Sequence, residues 1–441
     1  MKIDNKLGFW MCVALVVGNM IGSGIFLLPA SLAPYGIDSI WGWLLTSAGA
    51  LVLAMVFSGL SRAFPEAEGT YAYTRMAFGD LAAFIVAWGY WVGVWVGNAA
   101  IATGAVSYLS SLMPWIAEKP GNSALVTVFF VWLLTAVNIY GVRTAGQVQV
   151  VTTVMKLLPL LAVVGLGLYL VFTHDSRIEH SALLSTHSSL SGATAAATLT
   201  LWALLGLESA SVAASTVRDP AKTIPRATMV GTILTAAIYI IACTAVMLLI
   251  PAAQLAQSNA PFADVAREFW GDSAARWLAL FAAISGFGAL NGWILLQGEL
   301  PRQMANSGLF PAVFARMSSR QTPAIGLCIT SAMMTVLVFM NYGKSMVDVF
   351  TFVILLSTSA ILVMYLMCAL AVLKLLREGK LVASRKRATG LAVAGVLGAI
   401  YSLWTLVGAG REAVLWGFAL LAMGLPVFFL MRRTNATTTL P

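Results

Sequence analysis

Apolar runs long enough to cross a membrane recur along the whole chain. A transmembrane helix needs about 20 predominantly apolar residues to span a hydrocarbon core of about 30 Å. Charged residues make up only 10% of the sequence, and its mean hydropathy is +0.88. Twelve apolar segments can be marked, near residues 8–33, 39–62, 80–113, 124–141, 149–172, 192–216, 228–250, 274–303, 325–341, 347–373, 389–408 and 412–431. The pattern predicts an all-α membrane protein with twelve transmembrane helices.

Lysine and arginine are unevenly distributed over the connections between these segments. With the N-terminus placed in the cytoplasm, 19 of the 26 basic residues lie on cytoplasmic stretches, six lie on the outer side, and Lys156 lies within a segment. Positive residues are retained inside, so both termini are expected in the cytoplasm. The expected location is the cell membrane, which is the inner membrane in a Gram-negative bacterium. The net charge of +9 then reflects topology and contact with anionic membrane lipids, and does not indicate nucleic-acid binding.

Composition and spacing argue against an enzyme, a metal site and a bound cofactor. No histidine, cysteine or paired carboxylates converge by spacing within the segments, as a catalytic or zinc site would require. No phosphate-binding loop of the Walker type is present, so the chain is not expected to hydrolyse ATP. A channel would show a repeated filter sequence, and none is visible.

Two segments carry features that a simple membrane-crossing helix does not need. Residues 18–26 (GNMIGSGIF) contain three glycines, and residues 199–211 (LTLWALLGLESAS) contain Gly206, three hydroxyl side chains and Glu208. Glycine costs about 1 kcal/mol in a helix interior relative to alanine, and non-helical backbone at membrane depth is tolerated where it lines a cavity. The alternative is that the glycines only permit close helix packing. Because both segments open a block of five, we favour two broken helices, 1 and 6, in a five-plus-five inverted repeat of the LeuT-like type.

This arrangement predicts a single transmembrane domain over residues 1–441 with a zwitterion site at its centre. Repeat one covers about 8–172, repeat two about 192–373, and two extra helices follow at about 389–431. A half-helix N-terminus attracts a carboxylate, and free carbonyls at the opposite end attract an ammonium group. Ser23 and the amides of Gly22 and Gly24 are candidates for the carboxylate of an amino acid. Carbonyls near residues 19–21 and 202–206 are candidates for its amine, which singles out Asn19, Ile21, Ala203 and Leu205.

Several motifs resemble the amino acid, polyamine and organocation (APC) transporter superfamily. They lie at residues 19–26, 199–211, 218–226, 291–293, 308–311 and 314–316, and the similarity extends over nearly the whole chain. Within the superfamily, the sequence is most similar to the bacterial basic amino acid and polyamine antiporters, such as the arginine:agmatine exchangers. The resemblance implies a homodimer. It also implies roles for matching residues: Asn98 and Ser357 in the side-chain pocket, Trp293 stacked on the cationic end, Trp202 as a gate, and Tyr90, Tyr365 and Glu208 in gating.

Glu208 and Lys156 are the candidates for coupling. An ionisable side chain inside a membrane segment often marks an ion or proton pathway, although Glu208 can also serve as a structural hydrogen-bond partner. Lys156 departs from the arginine antiporters, which have a small residue there, and resembles the L-type exchangers and proton-coupled permeases of the superfamily. An ammonium group near the first broken helix argues against sodium coupling. Snorkelling to the interface is the alternative for Lys156.

Three further positions bear on the choice of substrate. Gly93 and Val94 stand where the arginine antiporter has alanine and cysteine, and a changed lining can change the cargo. Glu299 is expected to pair with Arg302 one turn later rather than to contact substrate. The sequence thus predicts a secondary active antiporter that exchanges arginine, lysine or ornithine for a related amino acid or its decarboxylated amine. The alternative is a proton-coupled or exchanging permease for neutral or a broader range of amino acids.

Overall fold

A computed structural model describes residues 8–22, 24–65, 67, 69–140, 157–173, 183, 188–207 and 217–438. All regular elements within these ranges are helices, which agrees with the predicted all-α class. Three predicted site residues, Ser23, Lys156 and Glu208, lie outside the described residues.

We number the helices in chain order. They are α1 (Phe9–Met20), α2 (Gly24–Leu32), α3 (Asp38–Ala63), α4 (Thr70–Phe78), α5 (Asp80–Ser110), α6 (Trp115–Glu118), α7 (Pro120–Tyr140), α8 (Leu157–Phe172), α9 (Leu190–Ala203), α10 (Pro220–Leu249), α11 (Ala252–Ala256), α12 (Pro261–Trp270), α13 (Asp272–Asn306), α14 (Ala324–Met340), α15 (Met346–Arg377), α16 (Arg385–Gly408), α17 (Arg411–Ala422) and α18 (Gly424–Thr438). Short 3₁₀ turns lie at Ala33–Tyr35 and Ala312–Ala315.

Eight stretches of the described chain are long and apolar enough to cross a membrane: α3, α5, the residues of α7 from Gly121, α10, α13, α15, α16, and Arg411–Arg432, which combines α17 with part of α18. Each coincides with one of the twelve predicted segments. Of the other four predicted segments, one is divided between α1 and α2, one is the 17-residue α14, and two extend beyond the described residues at α8 and α9.

The helix of the first predicted segment is interrupted among its glycines, as the sequence predicted. Helix α1 ends at Met20, and the following residue, Ile21, has an extended backbone with φ −75° and ψ 92°. Helix α2 then begins at Gly24. In the second interrupted segment, α9 ends at Ala203 and turns follow up to Leu207. One of these turn residues, Gly206, has φ 101°, a conformation that favours glycine.

Some boundaries differ from those expected. Helix α10 begins at Pro220, eight residues before the predicted start at 228, because proline is well suited to the first helical position. The connecting helices α4 and α12 were not predicted. Helix α12 has ten residues and buries Phe262, Val265 and Ala266 on one side, so it lacks the apolar length that identified the membrane segments.

Helix α5 forms the centre of the molecule. Nearly all of its residues between Ala83 and Ser110 are buried, and its main neighbours are α15 and α13. The other close pairs include α10 with α3, α9 with α3, and α1 with α10. This packing places the break between α1 and α2, the end of α9 and the middle of α5 around one space.

Candidate functional site

A cavity lies between the α1–α2 break, the end of α9, and helices α5, α10, α13 and α15. It contains about 520 Å³ of space that no protein atom fills, part of it continuous with open solvent. No charged side chain is among the described residues that line it. The described lining offers a ligand aromatic faces, helix ends and neutral polar groups.

Eleven of the predicted site residues line this cavity. They are Gly22, Gly24, Tyr90, Gly93, Val94, Asn98, Trp202, Ala203, Leu205, Trp293 and Ser357. Asn19 belongs to the last turn of α1. Ile21 is fully buried just after this helix and is not among the described residues that line the cavity. Tyr365 is also fully buried and packs edge-on against Phe57, with ring centroids 5.7 Å apart.

The indole of Trp202 lies directly against the backbone of Gly24. A methyl group added to Gly24 would lie 1.7 Å from Cζ3 of Trp202, far inside van der Waals contact. On its other side, Trp202 meets Phe350 edge-on at 5.5 Å. Trp202 is thus held between the start of α2 and helix α15, and this position requires glycine at residue 24.

Two buried tyrosines hold the carbonyls on either side of the break. The Tyr239 hydroxyl of α10 donates to the Met20 carbonyl oxygen at 2.6 Å, and the Gly22 amide donates to the same oxygen at 2.9 Å. The Tyr108 hydroxyl of α5 donates to the Phe26 carbonyl at 2.7 Å. Because a carbonyl oxygen has two lone pairs, the Met20 oxygen already has its full set of donors. Of the carbonyls proposed near residues 19–21, that of Met20 is therefore not available to an amine.

The polar groups on the α5 side of the cavity are tied to neighbouring helices. The Ser357 hydroxyl of α15 donates to the Gly93 carbonyl at 2.7 Å. The Asn98 amide nitrogen donates to Oε1 of Gln297 on α13 at 2.6 Å. The Asn98 carbonyl oxygen has no hydrogen-bond partner among the described residues. Asn98 therefore brings an unused acceptor to the cavity wall.

Six lining residues were not predicted: Met20, Ile25, Gly97, Ile101, Tyr239 and Ile361. Four of them are apolar side chains of a kind found throughout the sequence. Gly97 had a signal, because it follows Gly89 and Gly93 at intervals of four residues on α5. Tyr239 had none, since its partner lies 219 positions away.

Two other expectations concern charged groups and metals. Nε of Arg302 donates to Oε2 of Glu299 at 2.6 Å, so the predicted pairing within α13 is confirmed. Among the residues that the structure describes, no three His, Cys, Asp or Glu side chains lie close enough together to hold a metal ion.

Comparison with known proteins gives consistent similarities over most or nearly all of the chain. A family model described as amino acid permease matches residues 7–431. A Bacillus subtilis (strain 168) protein named "Putative arginine/ornithine antiporter" is 34% identical, covering 97% of both chains. The putrescine transporter PotE of Haemophilus influenzae is 31% identical over 94% of both chains. The cadaverine/lysine antiporter of Escherichia coli strain K12 is 34% identical over 77% of this chain and 76% of its own.

Proposed function

The chain belongs to the amino acid permease family, and on that basis we propose that it is a secondary transporter that exchanges a cationic amino acid for a related amino acid or its decarboxylated amine. One observation carries this proposal. Residues from three of the six motif regions, 19–26, 199–211 and 291–293, line a single cavity beside an interrupted helix. The three relatives are named for arginine and ornithine, putrescine, and cadaverine and lysine, which are cationic substrates.

In the proposed complex, the two ends of the substrate contact different walls. The Gly24 amide, with Ser23, binds the carboxylate at the start of α2, where the helix dipole favours negative charge, whereas the expected use of the Gly22 amide is excluded because it already donates to the Met20 carbonyl. The distal cation stacks on Trp293 and bonds to Asn98 and Ser357. A cation over an indole face gains about 0.5 to 2 kcal/mol, depending on its desolvation.

Alternating access requires gates on both sides of the bound substrate. Trp202 and Tyr90 line the cavity and are the proposed gating residues within it. Glu208 and Lys156, outside the described residues, are the proposed coupling groups. Tyr365, which is buried against Phe57 and is not among the described lining residues, is proposed to act on the gate through packing.

We also propose the complete architecture of the family resemblance: twelve spans, two inverted repeats over about 8–172 and 192–373, and two further helices. The interruptions after Met20 and after Ala203 support it, because each falls in the first segment of a block of five. Both termini are proposed to face the cytoplasm of a cell membrane. A homodimer is the proposed assembly.

Counterflow in proteoliposomes tests the function. Liposomes loaded with unlabelled arginine should accumulate labelled arginine, and empty liposomes should not. Agmatine, lysine, ornithine, putrescine, leucine and alanine are then tested as competitors at pH 5 and pH 7.5. Inhibition by the cationic compounds supports the proposal, and inhibition by neutral amino acids alone would overturn it.

A permease for neutral or a broader range of amino acids is the second candidate. The observation in its favour is the cavity wall itself, which is largely apolar and has no charged side chain among its described residues. The same competition panel separates the two functions. A ranking with leucine and alanine ahead of arginine would identify the permease.

A further inference from the structure

A buried chain of polar side chains extends from the cavity across four helices. Asn98 of α5 donates to Gln297 of α13 at 2.6 Å, and Nε2 of Gln297 donates to the Ser331 hydroxyl of α14 at 3.2 Å. The Ser331 and Thr135 hydroxyls are 2.6 Å apart, and Thr135 belongs to α7. All four side chains are almost completely buried. Apart from Asn98, none of them lines the cavity.

At the Thr135 end of this series of side chains, one hydrogen bond determines which group donates and which accepts in all the others. The Thr135 hydroxyl oxygen is 2.7 Å from the Val131 carbonyl oxygen, which can only accept. Thr135 therefore donates its single hydroxyl proton to Val131. Ser331 must then donate to Thr135, which leaves the Ser331 oxygen to accept from the Gln297 amide nitrogen. The Gln297 oxygen in turn accepts from the Asn98 nitrogen.

These hydrogen-bond directions determine which atom of the Asn98 amide remains available to a ligand in the cavity. Its nitrogen is bound to Gln297, and its carbonyl oxygen has no partner among the described residues. A buried acceptor without a partner costs about 1 to 3 kcal/mol. A ligand group made only of donors, such as a guanidinium or an ammonium, would remove that cost. A ligand carbonyl or carboxylate at the same place would meet a second acceptor.

We propose that Gln297 is a positioning residue that holds the Asn98 amide with its oxygen toward the substrate, so that the site selects a side chain ending in hydrogen-bond donors. Thr135 and Ser331 set the orientation of Gln297 from outside the cavity. This inference rests on the proposed function and names the element of the site that distinguishes a cationic side chain from a neutral one of the same shape.

Arginine and citrulline provide the test, because they have nearly the same shape and differ in that citrulline carries a carbonyl oxygen in place of one guanidinium nitrogen. The measured quantity is the ratio of their apparent affinities in proteoliposome exchange. Thr135→Val frees Ser331 to donate to Gln297, so that both amides can reverse. Gln297→Met removes the link altogether. In both variants we expect the preference for arginine to fall about tenfold, equivalent to roughly 1.4 kcal/mol, with the maximal exchange rate retained.

Thr330→Val is the matched control. Thr330 is equally buried on α14, but its hydroxyl bonds only to carbonyls of its own helix, at Gly326 and Leu327. The preference of the Thr330→Val protein for arginine over citrulline should stay within about twofold of the wild-type value. An unchanged ratio of the arginine and citrulline affinities in both Thr135→Val and Gln297→Met, or an equal fall of this ratio in Thr330→Val, would overturn the inference. Failure of the wild-type protein to bind any cationic amino acid would instead overturn the proposed function.

Discussion

At the scale of single residues, the contact between Gly24 and Trp202 does most to define the shape of the cavity. The indole lies where any side chain at position 24 would have to be. Gly22, two residues earlier, is different: the nearest atom to an added methyl group is Cβ of Ala289 at 4.0 Å. Of these two glycines, position 24 is therefore the one restricted by packing, whereas Gly22 has room for a methyl group.

Gly24→Ala should disable transport. The added methyl group would force Trp202 out of its place between α2 and Phe350, and displacing a well-packed aromatic ring costs typically 1 to 3 kcal/mol. We expect the rate of counterflow to fall at least tenfold. Gly18→Ala, in α1, is the control, because nothing lies within 4 Å of its added methyl group. A Gly24→Ala protein that exchanges at the wild-type rate would show that Trp202 does not need this position.

The residues that could be predicted from the sequence are those that are unusual for their surroundings. Glycines, Asn98 and Ser357 stand out within apolar helices, and Trp202 and Trp293 fall within motifs. Met20, Ile25, Ile101 and Ile361 do not stand out, because 60% of the chain is hydrophobic and the same side chains face lipid elsewhere. The hydrogen-bond partner of Asn98 could not be predicted from the sequence either, because Gln297 lies 199 positions away and only helix packing brings the two side chains together.

At the scale of helices, α5 and α15 pack through a row of glycines. Gly89, Gly93 and Gly97 lie four residues apart and so share one face of α5. A methyl group at Gly93 would be 2.3 Å from Cγ1 of Ile361, and one at Gly97 would be 3.1 Å from Oγ of Ser357. The row allows Ser357 to reach the Gly93 carbonyl, so close packing and a site residue depend on the same glycine.

Gly93→Ala should destabilise the protein by about 1 to 3 kcal/mol, because the new methyl group overlaps Ile361. In an Ile361→Ala background the same change should cost less than half as much, since that variant already provides the missing space. The measurement is a double-mutant cycle on the free energy of unfolding in detergent. If the two changes were merely additive, the overlap with Ile361 would not be the cause of the destabilisation.

A second interhelical contact connects the starts of α3 and α9. The Asp38 carboxylate is buried and accepts from the Ser188 hydroxyl at 2.7 Å, from the Ser189 hydroxyl at 3.1 Å, and from the Ser189 amide. Ser189 in turn caps α9 by accepting from the Gly192 amide at 3.0 Å. Asp38 thus holds the first turn of the helix that leads to Trp202.

Asp38→Asn should lower the free energy of unfolding by about 1 to 3 kcal/mol. The new NH₂ group would face donors and leave at least one of them unsatisfied in a buried place. Asp272→Asn is the matched control at the start of α13, where the carboxylate is 73% exposed and pairs with Arg267 on the surface. Exposed ion pairs contribute about 0 to 1 kcal/mol, so this variant should be close to the wild type. Equal losses in the two variants would argue against a special role for Asp38.

At the scale of the whole molecule, apolar length predicted the long helices and missed the short helices α4 and α12 in the connections. The eight long stretches were recognisable because the membrane requires about 20 consecutive apolar residues. Helices α4 and α12 lie in connections and bury only one side, which leaves no such run. The break at Met20 was predictable from glycine content, but the tyrosines that hold it were not, because their partners are backbone carbonyls of a distant segment.

The proposed orientation rests on two neighbouring connections of opposite character. The end of α15, the connection that follows it and the start of α16 carry a basic cluster, made of Lys374, Arg377, Lys380, Arg385, Lys386 and Arg387. Between α14 and α15 the chain carries only Lys344. Because α15 is long enough to cross the membrane, these connections lie on opposite sides of it, and positive residues are retained in the cytoplasm.

Single cysteines on these two connections test the orientation in intact cells. Gly343→Cys should react with a membrane-impermeant maleimide from outside, whereas Ser384→Cys should react only after the cells are lysed. The parent protein is the control, since Cys12, Cys243 and Cys368 are buried and Cys328 is only partly exposed. Labelling of Ser384→Cys in intact cells would reverse the topology. It would also place the basic cluster at the α15–α16 connection outside the cell, which contradicts the rule that positive residues are retained in the cytoplasm.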